Sequence, residues 1–230
     1  MHSSSNQTNG LHSAAGRGDM SLRKSCLFYS FVGLMVLAMV VGDSLVSAGA
    51  IGPMSVVKSG TDRALDILRT SQAPEGQKIR QRREEILQIV DEYFNFNEMA
   101  RRALGRPWKD QSPEKQREFV KLFKDLLFNT YVDRVETYTG TNERIVYDEE
   151  RIEGDYAMVR TRISNYKNTD VRVEYRLRQA NGEWKVYDVV VEGISFIENY
   201  RSQFNSILAG ESFDALLNRL RQKVREHATL

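Results

Sequence analysis

The sequence contains very few of the side chains on which most enzymes and metal proteins depend. Its single cysteine is Cys26, and its three histidines are His2, His12 and His227, all close to the chain ends. The long segment between lacks a thiol nucleophile, an imidazole base and the commonest metal ligands. It also lacks a P-loop, a G-x-G-x-x-G motif and a G-x-S-x-G motif. We therefore expect no metal, no cofactor and no catalytic residue of these types.

An excess of one charge is missing as well. The chain has 33 basic and 31 acidic residues, and three of the former and two of the latter lie in residues 1–50. The remainder therefore has a net charge of about +1, which gives no electrostatic footprint for nucleic acid. Hydrophobic residues make up 41% of the chain and charged residues 28%, the balance of a globular protein with a substantial core.

Residues 1–50 have the pattern of a processing segment. Arg17, Arg23 and Lys24 precede an apolar run from Cys26 to Val41, and small residues follow at Val46-Ser47-Ala48 and Ala48-Gly49-Ala50. This order is typical of a cleaved secretory signal peptide, although the run approaches the length of a retained membrane anchor. We expect a leader over 1–50 and one exported domain over 51–230. Cys26 begins the apolar run, so the exported domain needs no disulfide.

Helices are predicted on both sides of a central group of strands. Helical spacing of apolar residues, caps and breaks indicate the following segments. They are a lead-in to Lys58, a helix from Ser59, one over about Gln77–Phe94, a short one capped by Asn97, a long one from Pro113 to about Tyr138, one from Ser195 to Gly210, and one after Ser212. The long helix is apolar over most of its girth, which indicates cover from more than one side.

From Arg144 the apolar period changes to two, and short turns separate four predicted strands. The last follows the turn Asn181-Gly182 and runs from Trp184 to Val191 with apolar residues on both faces. Such a strand is predicted to lie centrally in its sheet. Together the segments predict an α+β domain: a four-stranded antiparallel curled sheet with helices packed on its apolar face.

Two interpretations of the buried polar residues remain at this point. Asp188, beside Tyr187, could act as an acid or base, because a buried carboxyl group can have a raised pKa. Alternatively, Asp188 or Glu192 satisfies hydrogen-bond donors at the sheet corner, which we favour. Large aromatic residues, Phe119, Phe123 and Phe204 among them, are expected to converge on the inner face of the sheet. Their periodicity does not distinguish a filled core from a hollow one.

One motif is more specific. Gly182-x-Trp184-x-x-Tyr187-Asp188-x-x-x-Glu192-Gly193-x-Ser195 resembles the signature of the periplasmic phospholipid-binding proteins of the Mla, or toluene-tolerance, ABC transport system. Leu104-Gly105 and the helix start at Ser112-Pro113 resemble the middle of that family. Asn95-Phe96-Asn97 departs from it, because an aspartate is expected there in many relatives.

The resemblance implies a periplasmic carrier without enzymatic activity, with phospholipid as its cargo. Its partners would be an inner-membrane ABC transporter complex and an outer-membrane lipoprotein complex, and we expect it to be a monomer. The acyl chains would enter a hydrophobic cavity between sheet and helices. Alternation places these candidate lining residues inward: Phe123, Leu127, Tyr131, Tyr147, Val159, Val173, Tyr175, Val186 and Val190.

Three alternatives stay open at the level of sequence. The cargo could be another lipid, such as a hopanoid. The protein could be a small-molecule enzyme that uses Tyr187 and Asp188, or an interaction protein with a solid core.

Overall fold

The structure is a computed structural model that describes residues 51–70, 75–136, 144–166 and 169–228, with side chains except at 68–70, 75–79, 131–136, 165–166 and 227–228. The predicted leader over 1–50 lies outside the described residues. The helices are α1 (Pro53–Thr70), α2 (Glu75–Tyr93), α3 (Phe96–Leu104), α4 (Pro113–Glu136), α5 (Phe196–Leu208) and α6 (Phe213–Ala228), with a 3-10 turn at Arg106–Asp110. The strands are β1 (Arg144–Glu153), β2 (Tyr156–Tyr166), β3 (Thr169–Ala180), β4 (Glu183–Val191) and β5 (Ile194–Ser195).

The strands form one antiparallel sheet in the order β1-β2-β3-β4-β5. The predicted α+β fold is confirmed, but the sheet has five strands rather than four. The additional strand is the two-residue β5, in which Ser195 pairs with Val190 and Ile194 with Val191. Asn181 and Gly182 both have positive φ, as the predicted type I′ turn requires.

The strand β4 is covered on both faces, as predicted, but it does not lie centrally in the sheet. Only the two-residue β5 and a parallel bridge between Phe94 and Val186 lie beyond it. The backbone N–H of Asn95 also donates to the carbonyl of Val186 at 2.8 Å. Helices on both sides, rather than further strands, therefore account for its apolar character.

Two helix starts differ from the sequence prediction. The helix α1 begins at Pro53 rather than Ser59, because proline fits the first turn and Glu150 accepts a hydrogen bond from the Met54 N–H at 2.5 Å. The helix α3 is capped by Asn95 rather than Asn97, and the Asn95 side chain accepts from the Glu98 N–H at 3.0 Å. The predicted cap of α5 is confirmed, since Ser195 accepts from the Glu198 N–H.

Irregular pairing reorients part of the sheet. Leu177 is paired with Val186, whereas its neighbour Arg176 is paired with Asp188, so Tyr187 is an extra residue in β4. Such a bulge reverses which alternate residues face each side. A second bulge lies in β1 between Tyr147 and Glu149.

The buried side chains form two separate groups. The sheet cluster joins the inner face of the sheet to α1 and α2. The helical cluster joins α3, α4, α5 and α6 and contains Phe119, Phe123, Tyr200 and Phe204. The expectation that these four rings converge on the inner face of the sheet is wrong, because they pack against one another between helices, mostly edge to face. Phe94 packs against both groups.

Candidate functional site

The inner face of the sheet is the most extensive apolar surface that the fold positions between layers. It is lined from β1 to β4 by β-branched, aliphatic and aromatic side chains that alternate with charged residues on the outer face. The helices α1 and α2 cover it with Val57, Leu65, Ile86 and Ile89, and Phe128 of α4 packs against it. Lipid-like ligands are suited to such a layer, because it offers apolar contact on two sides.

Five of the nine predicted lining residues lie together on this face. Val159, Val173, Tyr175 and Val186 are members of the sheet cluster, and Tyr147 is half-buried against it. Val159 is 0% exposed and Tyr175 is 3% exposed, so both side chains are covered within the sheet cluster. The predicted enclosed cavity stays a prediction.

Phe123 and Leu127 lie elsewhere, in the helical cluster. The centroid of the Phe123 ring is 5.9 Å from that of Phe119, 5.1 Å from that of Tyr200 and 5.5 Å from that of Phe204. Contacts of this kind fill a core. The long helix α4 thus packs into the helical cluster through Phe123 and against the sheet cluster through Phe128. Contacts on both sides explain why its apolar stripe is broad. The side chain of Tyr131 lies outside the described part of the structure.

Val190 faces away from the other predicted lining residues of the strands. It is paired with Glu174, whereas Val189 and Val191 are paired with Tyr175 and Val173 on the inner face. Simple alternation along β4 gave the wrong face beyond Val186, because the bulge at Tyr187 inserts one residue. No residue pattern in the strand distinguishes such a bulge from regular pairing.

A short polar seam, formed by Thr61, Tyr147, Thr161 and Tyr175, crosses the sheet cluster, and its two threonines were not among the predicted site residues. The Thr61 hydroxyl donates its proton to the Lys58 carbonyl at 2.6 Å. In the second bond, at 2.9 Å, the Tyr147 hydroxyl must therefore donate to Thr61. Thr161, which is 2% exposed, is paired with Tyr147 across β1 and β2. The available signal was a threonine at an apolar position of an amphipathic helix and another at an apolar position of a strand. Threonine also occurs at such positions without a function.

The two tyrosines of the seam differ in their partners. Burial raises the pKa of Tyr147 to about 12, and the hydrogen bond to Thr61 opposes the shift. Burial raises the pKa of Tyr175 still further, and the nearby Thr161 hydroxyl opposes the shift. Thr161 donates to the Val173 carbonyl instead, and no atom of the described residues meets hydrogen-bond geometry with the Tyr175 hydroxyl oxygen. Both hydroxyls therefore stay protonated at neutral pH and can only donate or accept hydrogen bonds.

The cover over the inner face is held by close packing together with individual polar contacts, such as the hydrogen bond from the Met54 N–H to Glu150 of β1. A Cβ on Gly60 of α1 would lie 2.9 Å from Cγ of Tyr93 in α2, so the two helices touch at this point. The Tyr93 hydroxyl also lies 2.8 Å from Ser59 Oγ, and Arg63 pairs with Glu92 at 2.5 Å.

Asp188 has a structural environment. It is 2% exposed, and its carboxylate accepts hydrogen bonds from Ser195 Oγ at 2.7 Å, the Ile197 N–H at 3.1 Å and Arg176 at 3.2 Å. Burial raises the pKa of Asp188 above its usual range, while the bonds from Ser195 and Ile197 oppose the shift. These contacts tie β4 to the start of α5, where the helix dipole favours a negative charge. They support the structural interpretation of this carboxylate.

Neither a cluster of metal ligands nor a membrane-spanning helix occurs in the part of the chain that the structure describes. In residues 51–228, as far as they are described, no group of three or more His, Cys, Asp or Glu side chains could hold a metal ion. Over the same described ranges, each helix is too short or too polar to cross a membrane.

The fold is similar to that of a known phospholipid-binding protein. Among solved structures, the phospholipid-binding protein from Ralstonia solanacearum, in complex with a phospholipid, has a TM-score of 0.63 and 26% identity. The match covers 79% of this chain and 99% of that one.

Sequence relatives are named for phospholipid transport and toluene tolerance. The intermembrane phospholipid transport system binding protein MlaC of Haemophilus influenzae is 26% identical over 203 residues, covering 83% of this chain and 92% of the relative. The toluene tolerance protein ttg2D of Pseudomonas putida is 31% identical over 94 residues, or 40% of this chain and 43% of that protein. The family model described as MlaC protein matches residues 58–222. The chain belongs to the MlaC family.

Proposed function

We propose that this protein is a periplasmic phospholipid carrier that moves lipid between an outer-membrane complex and an inner-membrane ABC transporter. The observation that carries the proposal is the similarity, along most of both chains, to a protein solved with a bound phospholipid. The absence of histidine and cysteine from residues 27–226 is compatible with it, because carriage requires no covalent chemistry.

The sheet cluster is the proposed site for the acyl chains. Each methylene removed from water contributes about 0.8 kcal/mol, so a chain of ~16 carbons needs roughly 10 kcal/mol of shelter. The inner face of β1 to β4 provides apolar contact on one side, and α1, α2 and Phe128 provide it on the other. Because Val159 and Val173 are covered, entry of a chain requires α1 or α2 to move away from the sheet.

A lipid carrier must also release its cargo. Its affinity has to match that of a membrane to within a few kcal/mol, or loading or unloading would fail. A cover held mainly by apolar packing suits this demand, since the lipid replaces contacts of the same kind when the helices separate. The exported state follows from the leader predicted over 1–50, and the monomeric state remains part of the proposal.

The direct test is chemical analysis of the purified protein. The chain should be expressed with its leader, purified from the periplasm without detergent, extracted with organic solvent and examined by mass spectrometry. We expect near-stoichiometric phospholipid. Protein that is empty and cannot be loaded from phospholipid vesicles would refute the carrier function, and a co-purified hopanoid would change the cargo.

The location of the site is tested by a matched pair of substitutions. Val173→Phe adds bulk to the sheet cluster and Leu216→Phe adds it to the helical cluster, and both positions are almost fully buried. Overpacking should lower the free energy of unfolding in both by about 1–3 kcal/mol. Only Val173→Phe should lower the phospholipid content per protein. An equal loss in both variants would contradict the assignment of the acyl chains to the sheet cluster.

A further inference from the structure

A group of arginines on the outer side of the fold shares a single carboxylate. Glu98, in the first turn of α3, is 5% exposed. It accepts hydrogen bonds from Arg101 at 2.7 Å, from Arg102 at 2.7 Å and from Arg178 of β3 at 3.1 Å. Arg201 of α5 adds a fourth guanidinium group, whose Nε donates to the Arg102 carbonyl at 2.9 Å.

Two other arginines of the outer face are neutralised more completely. Arg160 pairs with Glu149 and Glu174, and Arg162 pairs with Asp148 and Asp170. Around Glu98 arginines outnumber carboxylates, because the ion pairs of Arg101, Arg102 and Arg178 within the described chain all end on this one carboxylate. The Nε–H of Arg178 is buried and has no acceptor among the described residues. The group therefore carries an excess of positive charge on a chain whose overall charge is almost balanced.

Two tyrosines hold these guanidinium groups in place. The Arg102 guanidinium lies 4.1 Å from the ring centroid of Tyr187 and 5.6 Å from that of Tyr156, and Arg178 lies 5.7 Å from Tyr156. Burial would raise the pKa of Glu98, but hydrogen bonds from Arg101 and Arg102 outweigh it and the pKa lies below its usual value. The central carboxylate thus stays ionised at neutral pH, and the arrangement of the arginines stays fixed.

Parts of this group remain accessible. Arg101 is 51% exposed and Arg178 is 36% exposed at the side chain, and Tyr156 is 42% exposed. Arginine and tyrosine are enriched at the energetically important positions of protein interfaces. Side chains that are already ordered lose little conformational freedom on binding.

We propose that the surface formed by Arg101, Arg102, Arg178, Arg201 and Tyr156 docks an acidic surface of a partner protein. Guanidinium groups in fixed positions suit carboxylates in fixed positions, because each can donate two parallel hydrogen bonds. The headgroups of a fluid bilayer have no fixed positions, so they gain little from guanidinium groups that are held in place. An anionic bilayer attracts extended basic surfaces, and this chain is nearly neutral. The partner is therefore a protein rather than a lipid bilayer.

The position of this surface suits the transfer of lipid, a point that rests on the carrier function proposed above. Tyr156 is followed by Ala157, which belongs to the sheet cluster, and Ala157 is paired with Ile152. Ile152 is 51% exposed, so the apolar inner face reaches solvent at this end of the sheet. A partner docked on the arginines would lie beside that apolar edge.

Fluorescence anisotropy with labelled poly-L-glutamate tests the docking surface. The lipid-loaded protein should bind this probe at low salt. Arg101→Gln combined with Arg178→Gln should weaken binding by roughly tenfold or more, because charge-assisted hydrogen bonds are lost. Arg160→Gln combined with Arg162→Gln makes the same change in net charge on the outer face and should change binding by less than about twofold. Equal weakening in the two pairs would refute the proposal, since it would show diffuse attraction.

Glu98→Gln provides a result of opposite sign. It removes the only negative charge of the group and should tighten binding of the probe, whereas a purely structural Glu98 would yield lower thermal stability without tighter binding. If one of these variants does not fold, Arg101→Gln alone decides, because two arginines still contact Glu98. Unchanged probe affinity in that folded variant would refute the surface.

Vesicles and lipid content separate this proposal from the carrier function. Arginine-dependent binding to vesicles of phosphatidylglycerol and phosphatidylethanolamine, stronger than to poly-L-glutamate, would identify a membrane as the occupant and overturn the choice of a protein. The phospholipid content of the Arg101/Arg178 double variant should equal that of the unsubstituted protein. A lipid-free unsubstituted protein would refute the carrier function and leave the probe measurements to decide the docking surface.

Discussion

At the scale of single residues, the hydroxyl groups inside the sheet cluster show how environment gives one residue type two roles. Tyr147 of β1 and Tyr175 of β3 both lie on the inner face of the sheet, and both hydroxyl groups are desolvated. Tyr147 donates to Thr61 and thereby ties β1 to α1. The Tyr175 hydroxyl lies near Thr161 but forms no hydrogen bond of good geometry within the described chain, so we expect its burial to cost stability.

Of the two hydroxyl deletions, only the one at Tyr147 should therefore lower the free energy of unfolding. Tyr147→Phe should lower the free energy of unfolding by about 1 kcal/mol, because a hydrogen bond is lost. Tyr175→Phe should leave it unchanged or raise it by up to about 1 kcal/mol, because a buried, unsatisfied hydroxyl is removed. Urea unfolding of delipidated protein measures both values. A larger loss in Tyr175→Phe than in Tyr147→Phe would contradict the assigned partners.

Glu98 makes stability depend on pH in a defined direction. Its pKa in the folded protein lies below the usual 4.5, so the ionised form is favoured by folding. This contribution is complete above about pH 4.5 and is lost as the pH falls through the folded-state pKa. Glu98→Gln should cost roughly 2 kcal/mol at pH 7, and the difference from the unsubstituted protein should narrow below pH 4.5. Unfolding curves between pH 7 and pH 3 check this, and a constant difference over that range would contradict it.

At the scale of elements, the contact between α1 and α2 decides how the sheet is covered. Gly60 allows the Tyr93 ring to lie directly against the backbone of α1. Gly60 does not show its importance in an amphipathic pattern, because glycine has no side chain to count. The sequence also predicts a lead-in up to Lys58, whereas α1 begins at Pro53 and Val57 already packs against the sheet.

Gly60→Ala tests this contact. Alanine favours a helix over glycine by about 1 kcal/mol, but its Cβ would come within 2.9–3.2 Å of three Tyr93 ring atoms. We expect a net loss of about 1–2 kcal/mol in thermal or urea unfolding, because the helices must separate. Gly210→Ala is the matched control, since no atom lies within 4 Å of that Cβ, and it should change stability by less than about 0.5 kcal/mol. A stabilising effect of Gly60→Ala would show that α1 can shift without cost.

At the scale of the whole molecule, the two clusters divide the protein into a part proposed to accommodate cargo and a part that does not. The helical cluster is filled by rings on α4 and α5 that pack against one another, together with Phe213, Leu216 and Leu217 of α6. The sheet cluster is covered by α1 and α2, and hydrogen bonds at Met54–Glu150 and Thr61–Tyr147 join α1 to the sheet. Local opening costs less free energy in such a covering layer than in a filled core.

Removal of lipid should therefore affect the two clusters differently. In hydrogen exchange measured by mass spectrometry, amides of α1 and α2 should exchange faster in delipidated than in lipid-loaded protein, because the ligand stabilises the closed layer. Amides of α5 and α6 should exchange at nearly the same rate in both. A uniform change across the chain would contradict a division into these two clusters.

Much of the fold followed from local rules. The period of two after Arg144, the Asn181-Gly182 turn and the Ser195 cap depend on neighbouring residues alone, and each predicted the observed element. The α+β class and the family signature were also readable from the chain.

Tertiary structure decided how these elements are combined. The bulge at Tyr187 turned Val190 to the outer face, and the rings of Phe119, Phe123 and Phe204 formed a separate core instead of facing the sheet. The convergence of three arginines on Glu98 joins residues up to 80 positions apart. Local patterns specify which face of an element is apolar, because that depends on spacing along the chain. They do not specify which element covers that face, because pairing register and packing depend on residues that are distant in sequence.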